Sequence, residues 1–74
     1  MNRVLKSKII LEFGTQDDFA KFIGERPSVV SNVVRGRRQL SAAKQFEWAL
    51  MLNCLVLEIF PKSENETFNN LQMN

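Results

Sequence analysis

The sequence predicts a small all-α protein, a compact bundle of about five short helices. Apolar residues recur at helical spacing in several segments, most of these segments are bounded by a hydroxyl or glycine cap signal, and the connections between them are short. Of the 74 residues, 45% are apolar and 24% are charged, a composition close to that of globular proteins. The length allows one domain at most, which we place at residues 1–61, followed by a polar tail at 62–74.

The first two predicted helices cover residues 3–12 and 16–23. Apolar residues at helical spacing, with strong helix formers between them, favour the first helix, and Gly14 follows it as a left-handed cap. Thr15 is a good N-cap for the second helix, and Gly24 stops that helix after about two turns. The inward face of the second helix is expected to carry the apolar side chains of Phe19, Phe22 and Ile23.

The third helix is predicted over residues 27–35, although this segment is rich in valine. Taken alone, the segment also fits a strand, because β-branched residues are poor helix formers. Pro27 suits the first helical position, where its missing N–H is harmless, and Gly36 suits the residue after the last turn. These signals favour a helix that packing must stabilise. Residues 24–26 join it to the second helix, and so short a turn should make the two helices cross steeply.

Two further helices are expected at residues 42–53 and 55–59, the first with Ser41 as its N-cap. The longer helix has two apolar faces, one formed by Phe46, Ala49 and Leu50 and the other by Trp48, Met51 and Leu52 together with Leu55. The tail at 62–74 is polar apart from three apolar residues, so it is either disordered or ordered by a partner.

The residue types present argue against an enzyme, a metal site or a bound cofactor. Histidine, the commonest general base and metal ligand, is absent. Cys54 is the single cysteine, so it forms neither an internal disulfide nor a zinc site, and we expect it to be a small buried residue. No apolar run is long enough for a membrane span or a signal peptide. We therefore expect a cytoplasmic protein with no membrane contact and no small-molecule ligand.

Charge is unevenly distributed along the chain, although the net charge is only +2. From residue 26 to residue 46 there are five basic residues and no acid. Such a block is either a face that binds a polyanion or a solvated basic loop. Its members are Arg26, Arg35, Arg37, Arg38 and Lys44.

An ordered set of residues within 15–38 is typical of one family of regulators. The set comprises Gln16, Phe19, Ala20, Gly24, Ser28, Val30, Val33, Gly36, Arg37 and Arg38. With this set the segment resembles the helix-turn-helix of the XRE family, the Cro- and lambda-repressor-like regulators of phages and bacteria. The Leu-Glu-Ile-Phe-Pro sequence at 57–61 is similar to the end of that family's fifth helix. The resemblance implies a lambda-repressor-like fold whose helix at 27–35 lies in the major groove of double-stranded DNA.

Three residues of the third helix are candidates for contacts with base edges. Asn32 is the strongest, because an asparagine amide can bond adenine at N6 and N7; the alternative is an ordinary exposed residue. Ser28 would read bases weakly or help to satisfy the helix start, and Val29 would touch a thymine methyl group or pack partly in the core. Pro27 occupies a position where the family often has a polar residue that reads a base, so this chain has one base-reading residue fewer than many members.

Other polar and basic residues are expected to contact phosphates. The resemblance implies this contact for Gln16, in the first turn of the second helix. The basic candidates are Arg26, Arg35, Arg37 and Arg38, with Lys44 as a weaker one; for any one of them a solvated role is the alternative. Val34 replaces an acid found in many members of the family, and we expect it to be exposed and to pack on the fourth helix.

The resemblance implies a sequence-specific transcriptional regulator, a Cro-like repressor of a phage or prophage. One short helix reads few bases, so we expect a homodimer on DNA. Its predicted interface consists of Trp48, Met51, Leu52 and Leu55. The alternative function is an antitoxin-like or anti-regulator protein-interaction module whose tail folds onto a partner.

Overall fold

A computed structural model describes residues 1–61, and this part of the chain contains helices and no strands. The predicted tail at 62–74 lies outside the described residues. The five helices are α1 (Arg3–Phe13), α2 (Gln16–Ile23), α3 (Pro27–Arg35), α4 (Ala42–Met51) and α5 (Val56–Ile59). The all-α prediction with five short helices is therefore confirmed.

Half of the helix ends have the cap residues that the sequence indicated. The hydroxyl oxygen of Thr15 accepts from the backbone N–H of Asp18 at 3.0 Å, and that of Ser41 accepts from the backbone N–H of Lys44 at 3.2 Å. Gly24, between α2 and α3, has the left-handed conformation with φ 76°. A side chain disfavours that conformation, so glycine at this position allows the three-residue turn.

The fourth helix is shorter than predicted, ending at Met51 instead of residue 53. Asn53 takes a positive φ of 58°, a conformation that asparagine tolerates better than most residues. The backbone N–H of Cys54 donates to the carbonyl of Ala49 at 3.0 Å, which satisfies one of the free carbonyls at the helix end. The chain thereby reverses before α5 begins.

Asn2 joins three helices, a role that the sequence did not indicate. Its side-chain oxygen accepts from the backbone N–H of Leu5 at 3.0 Å and so caps α1. Its side-chain amide donates to the carbonyl of Ile59 in α5. Its backbone N–H donates to the carbonyl of Val34 in α3 at 2.7 Å. The start of α1 is thus fixed against the last turns of α3 and α5.

The core is formed by one cluster of buried apolar side chains drawn from all five helices. Within this cluster the Trp48 indole and the Phe19 ring pack edge to face, with ring centroids 5.1 Å apart and an interplanar angle of 87°. Such edge-to-face pairs are favourable beyond the area they bury. The cluster comprises Leu5, Ile9, Phe19, Ala20, Val30, Val33, Val34, Trp48, Ala49, Leu52, Ile59 and Phe60.

Two predictions about side-chain orientation are wrong. Val34 is buried, not exposed, because α1 and its capping segment cover this side of α3 at the Asn2 contact. Phe22 was expected on the inward face of α2 but lies largely in solvent. Its ring packs on Phe13, with centroids 5.1 Å apart, so the two phenylalanines cover the edge of the core where α1 meets α2.

Candidate nucleic-acid interface

The third helix has one buried face and one exposed polar face. Val30, Val33 and Val34 are buried, and this burial explains why a segment rich in β-branched residues is helical. Successive residues in a helix are separated by about 100° around the axis, so the opposite face carries Ser28, Asn32 and Arg35. We call these three residues the outer stripe. Ser28 and Arg35 are exposed and Asn32 is half-buried.

The side chain of Asn32 is free to bond a ligand. Its amide makes no hydrogen bond to the residues that the structure describes. Its backbone carbonyl, by contrast, accepts from the backbone N–H groups of Arg37 at 2.9 Å and Arg38 at 3.3 Å. The peptide of Asn32 is therefore fixed by the helix end, while its amide group retains both its donor and its acceptor.

The start of α3 lacks a side-chain cap. Arg26 occupies the N-cap position with extended backbone angles and makes no capping bond. Ser28 also forms no side-chain hydrogen bond within residues 1–61, so the alternative role of satisfying the helix start is not observed. Val29 is half-buried and packs against the core, in agreement with its alternative role. Pro27 has no N–H, and the backbone N–H of Val29 donates to the carbonyl of Arg26 at 3.0 Å. Ser28 therefore has the one first-turn N–H without a partner among residues 1–61. The positive end of the helix dipole lies at this exposed position.

The arginines of the basic block are exposed and form no ion pairs with the described residues. Among residues 1–61 the ion pairs within 4.0 Å all involve Lys44, whose ammonium lies 3.8 Å from a carboxylate oxygen of Glu25 and 3.4 Å from one of Glu47. Two acids therefore compete with any phosphate for Lys44. Arg26 precedes α3, Arg35 lies in its last turn, and Arg37 and Arg38 follow it.

Gln16 is the first residue of α2 and is half-buried. Asp17 and Asp18 follow it in the same turn and are exposed. Their charges suit the helix dipole but would repel a phosphate at this helix start. The geometry thus places Gln16 at a helix N-terminus, as predicted, in an electrostatic setting less favourable to an anion than that of α3.

The predicted dimer interface is wrong for two of its four residues. Trp48 is 1% exposed and Leu52 is 0% exposed, since both belong to the core. Met51 and Leu55 are exposed, Leu55 to 72%. The other apolar face predicted for α4 leaves Phe46 and Leu50 about 60% exposed. The available apolar surface on α4 is therefore the outer one, with Phe46 and Leu50 one turn apart.

Other kinds of site receive no support from the part of the chain that the structure describes. It contains no group of three potential metal-binding side chains and no helix that could span a membrane. Cys54 is half-buried and packs against the core. Burial and, to a smaller extent, the nearby Glu58 carboxylate raise the pKa of its thiol, which keeps the sulfur in its weakly reactive protonated form.

Comparisons of the chain with protein-family models, with curated proteins and with solved structures gave no significant match. The resemblance to the XRE family therefore depends on the residues quoted above.

Proposed function

We propose that this protein is a sequence-specific DNA-binding transcriptional regulator of the Cro-like repressor type, which reads the major groove with α3. The observation that supports this most is the outer stripe of α3, whose polar side chains form no hydrogen bonds within residues 1–61. On both sides of the stripe lie exposed arginines that form no ion pairs with the described residues. An α-helix with its side chains is about 10–12 Å in diameter, so α3 fits a major groove about 12 Å wide.

Each proposed contact follows from the chemistry of its residue. Asn32 bonds an adenine at N6 and N7, Ser28 makes a weaker polar contact with a base edge, and Val29 reaches a thymine methyl group with the part of its side chain that the core leaves free. These contacts select the sequence, while phosphate contacts set the position and orientation of the protein on the duplex.

The phosphate contacts are proposed at both ends of α3. Arg26 and the backbone N–H of Ser28 at the helix start serve one strand, and the arginines at the other end serve the flanking backbone. Gln16 and Lys44 are weaker members of the set, because acids lie beside both of them. The full proposed set is Gln16, Arg26, Arg35, Arg37, Arg38 and Lys44.

A second copy of the chain is part of the proposal, because one outer stripe spans only about 10.5 Å and reads about three base pairs. The proposed contact uses Met51 and Leu55, whereas the exposed Phe46 and Leu50 lie on the other apolar face of α4. Leu55→Glu should weaken self-association in sedimentation experiments. Leu11→Glu is the matched control, since Leu11 is equally exposed (73%) but lies on α1. Equal effects of the two variants would argue against this surface.

The test of the main proposal is selection of bound sites from a random DNA pool, followed by titrations at several salt concentrations. A regulator should enrich one sequence, and two half-sites about one helical turn apart would indicate a dimer. Asn32→Ala should relax the preference at one base position. Arg37→Gln should weaken binding to all sequences alike and reduce the salt slope by about one unit. Selection of no sequence would refute the proposal.

A second candidate is an antitoxin-like or anti-regulator module that binds another protein. The exposed apolar side chains of α4 and α5, among them Phe46, Leu50, Leu55 and Leu57, favour this alternative, since large apolar patches often mark protein interfaces. Absence of DNA binding at low salt would support it. Both candidates are placed in the cytoplasm, act without a cofactor or small-molecule ligand, and involve no catalysis.

A further inference from the structure

We propose that Arg35 reads a base, a guanine, in place of the phosphate contact assigned to it above, and thereby sets part of the sequence preference of the protein. This inference depends on the proposed DNA-binding function. It gives Arg35 a different role from Arg37 and Arg38. The three arginines form one short basic run in the sequence and appear equivalent as phosphate contacts when only the sequence is considered.

The first argument is the position of Arg35 around the helix axis. Ser28 and Arg35 are seven residues apart, which is almost two full turns, so their side chains leave the axis within about 20° of each other. Asn32 is rotated about 40° from Ser28 around the axis, in the opposite direction to Arg35. The buried valines lie on the opposite face of α3. Arg35 thus belongs to the same exposed stripe as the two proposed polar readers.

The second argument is the path of the chain after Arg35. Gly36 has a φ of 82° in the left-handed conformation and ends the helix. The backbone N–H groups of Arg37 and Arg38 then donate to the carbonyl of Asn32, which folds these two residues over the end of α3. Arg37 and Arg38 therefore lie outside the outer stripe and, in the proposed complex, beside the groove, whereas Arg35 is still within the last turn of α3.

The third argument is the chemistry and reach of the side chain. The guanidinium of Arg35 is exposed and has no carboxylate within 4.0 Å among residues 1–61, so no described acid holds it elsewhere. Its fork of N–H donors matches the O6 and N7 acceptors of guanine. The rise from Asn32 to Arg35 is about 4.5 Å, similar to the step of about 3.4 Å between base pairs. Arg35 would therefore reach a base pair next to the one that Asn32 reads.

The test compares Arg35→Gln, Arg35→Lys and the matched control Arg37→Gln by site selection and by titration on the selected sequence and its single-base variants. Arg35 is exposed, so these variants should fold, which circular dichroism would establish. We expect Arg35→Gln to reduce the preference for guanine at one position by about ten-fold or more, with the other positions unchanged. Arg35→Lys should keep the salt slope and lose most of this preference. Arg37→Gln should keep every preference.

Two outcomes would overturn the inference, and they are distinguishable. If Arg35→Gln weakens binding to all sequences equally while the wild-type protein still selects a site, Arg35 contacts phosphate and only this inference fails. If the wild-type protein selects no site at all, the proposed function fails together with the inference.

Discussion

Replacing Asn2 by alanine tests the three-helix contact at the start of α1. The change removes the cap of α1, which typically costs about 1 kcal/mol, and the side-chain hydrogen bond to the carbonyl of Ile59. That carbonyl would lose its partner at a partly buried position, a further cost of about 1–3 kcal/mol. We therefore expect the free energy of unfolding to fall by about 2–4 kcal/mol. A domain of this size has a total of roughly 4–11 kcal/mol.

The assay is unfolding in urea, followed by the fluorescence of Trp48 and by far-ultraviolet circular dichroism. Trp48 is suitable because it is buried at the centre of the core. Ser41→Ala is the matched control, since it removes a single exposed cap bond and should cost about 1 kcal/mol. Asn2→Asp keeps the cap acceptor but turns the donor to Ile59 into an acceptor oxygen, so it breaks the second bond while α1 stays capped. An Asn2→Ala variant no less stable than Ser41→Ala would refute the reasoning.

Three further predictions concern turns, charges and the thiol. Gly24→Ala should lower the free energy of unfolding by about 1 kcal/mol, because the left-handed φ is strained for alanine even though there is space for its Cβ. Thermal melting would measure this, and an unchanged melting temperature would contradict it. If the proposed function holds, Glu25→Gln should raise DNA affinity at low salt, because it releases Lys44 from one of its two acid partners; a titration showing weaker binding would exclude that competition. Because the pKa of the Cys54 thiol is raised, its alkylation at pH 8 should be slower than that of an exposed cysteine, and the rate should rise as the pH increases towards that pKa. Mass spectrometry would measure the labelling rate, and fast labelling at pH 8 would contradict this prediction.

Local signals were sufficient to predict most of the helix ends. Thr15, Ser41 and Gly24 act through their own backbone neighbours, so their effects are visible in a few consecutive residues. The valine-rich α3 was predicted correctly for a related reason, since Pro27 and Gly36 delimit it. The polar outer stripe then follows from helical periodicity once the buried valines are known.

Contacts between distant parts of the chain were not predictable. Asn2 and Ile59 are 57 residues apart in sequence, and nothing local marks them as partners. In α4 the apolar residues surround most of the helix, so periodicity could not decide which face is buried, and Trp48 and Leu52 were placed on the wrong surface. The pairing of Lys44 with Glu25 depends on how α4 packs beside the turn before α3, which is again a tertiary property.

The Asn2 contact also brings the two ends of the described residues together beside the last turn of α3. A peptide fused before residue 2 would leave the molecule close to the turn that holds Arg37 and Arg38. A fluorophore attached there would therefore report on binding at α3, and a bulky tag there would obstruct it. The loop between α1 and α2, at Gly14, offers an alternative attachment point away from this contact.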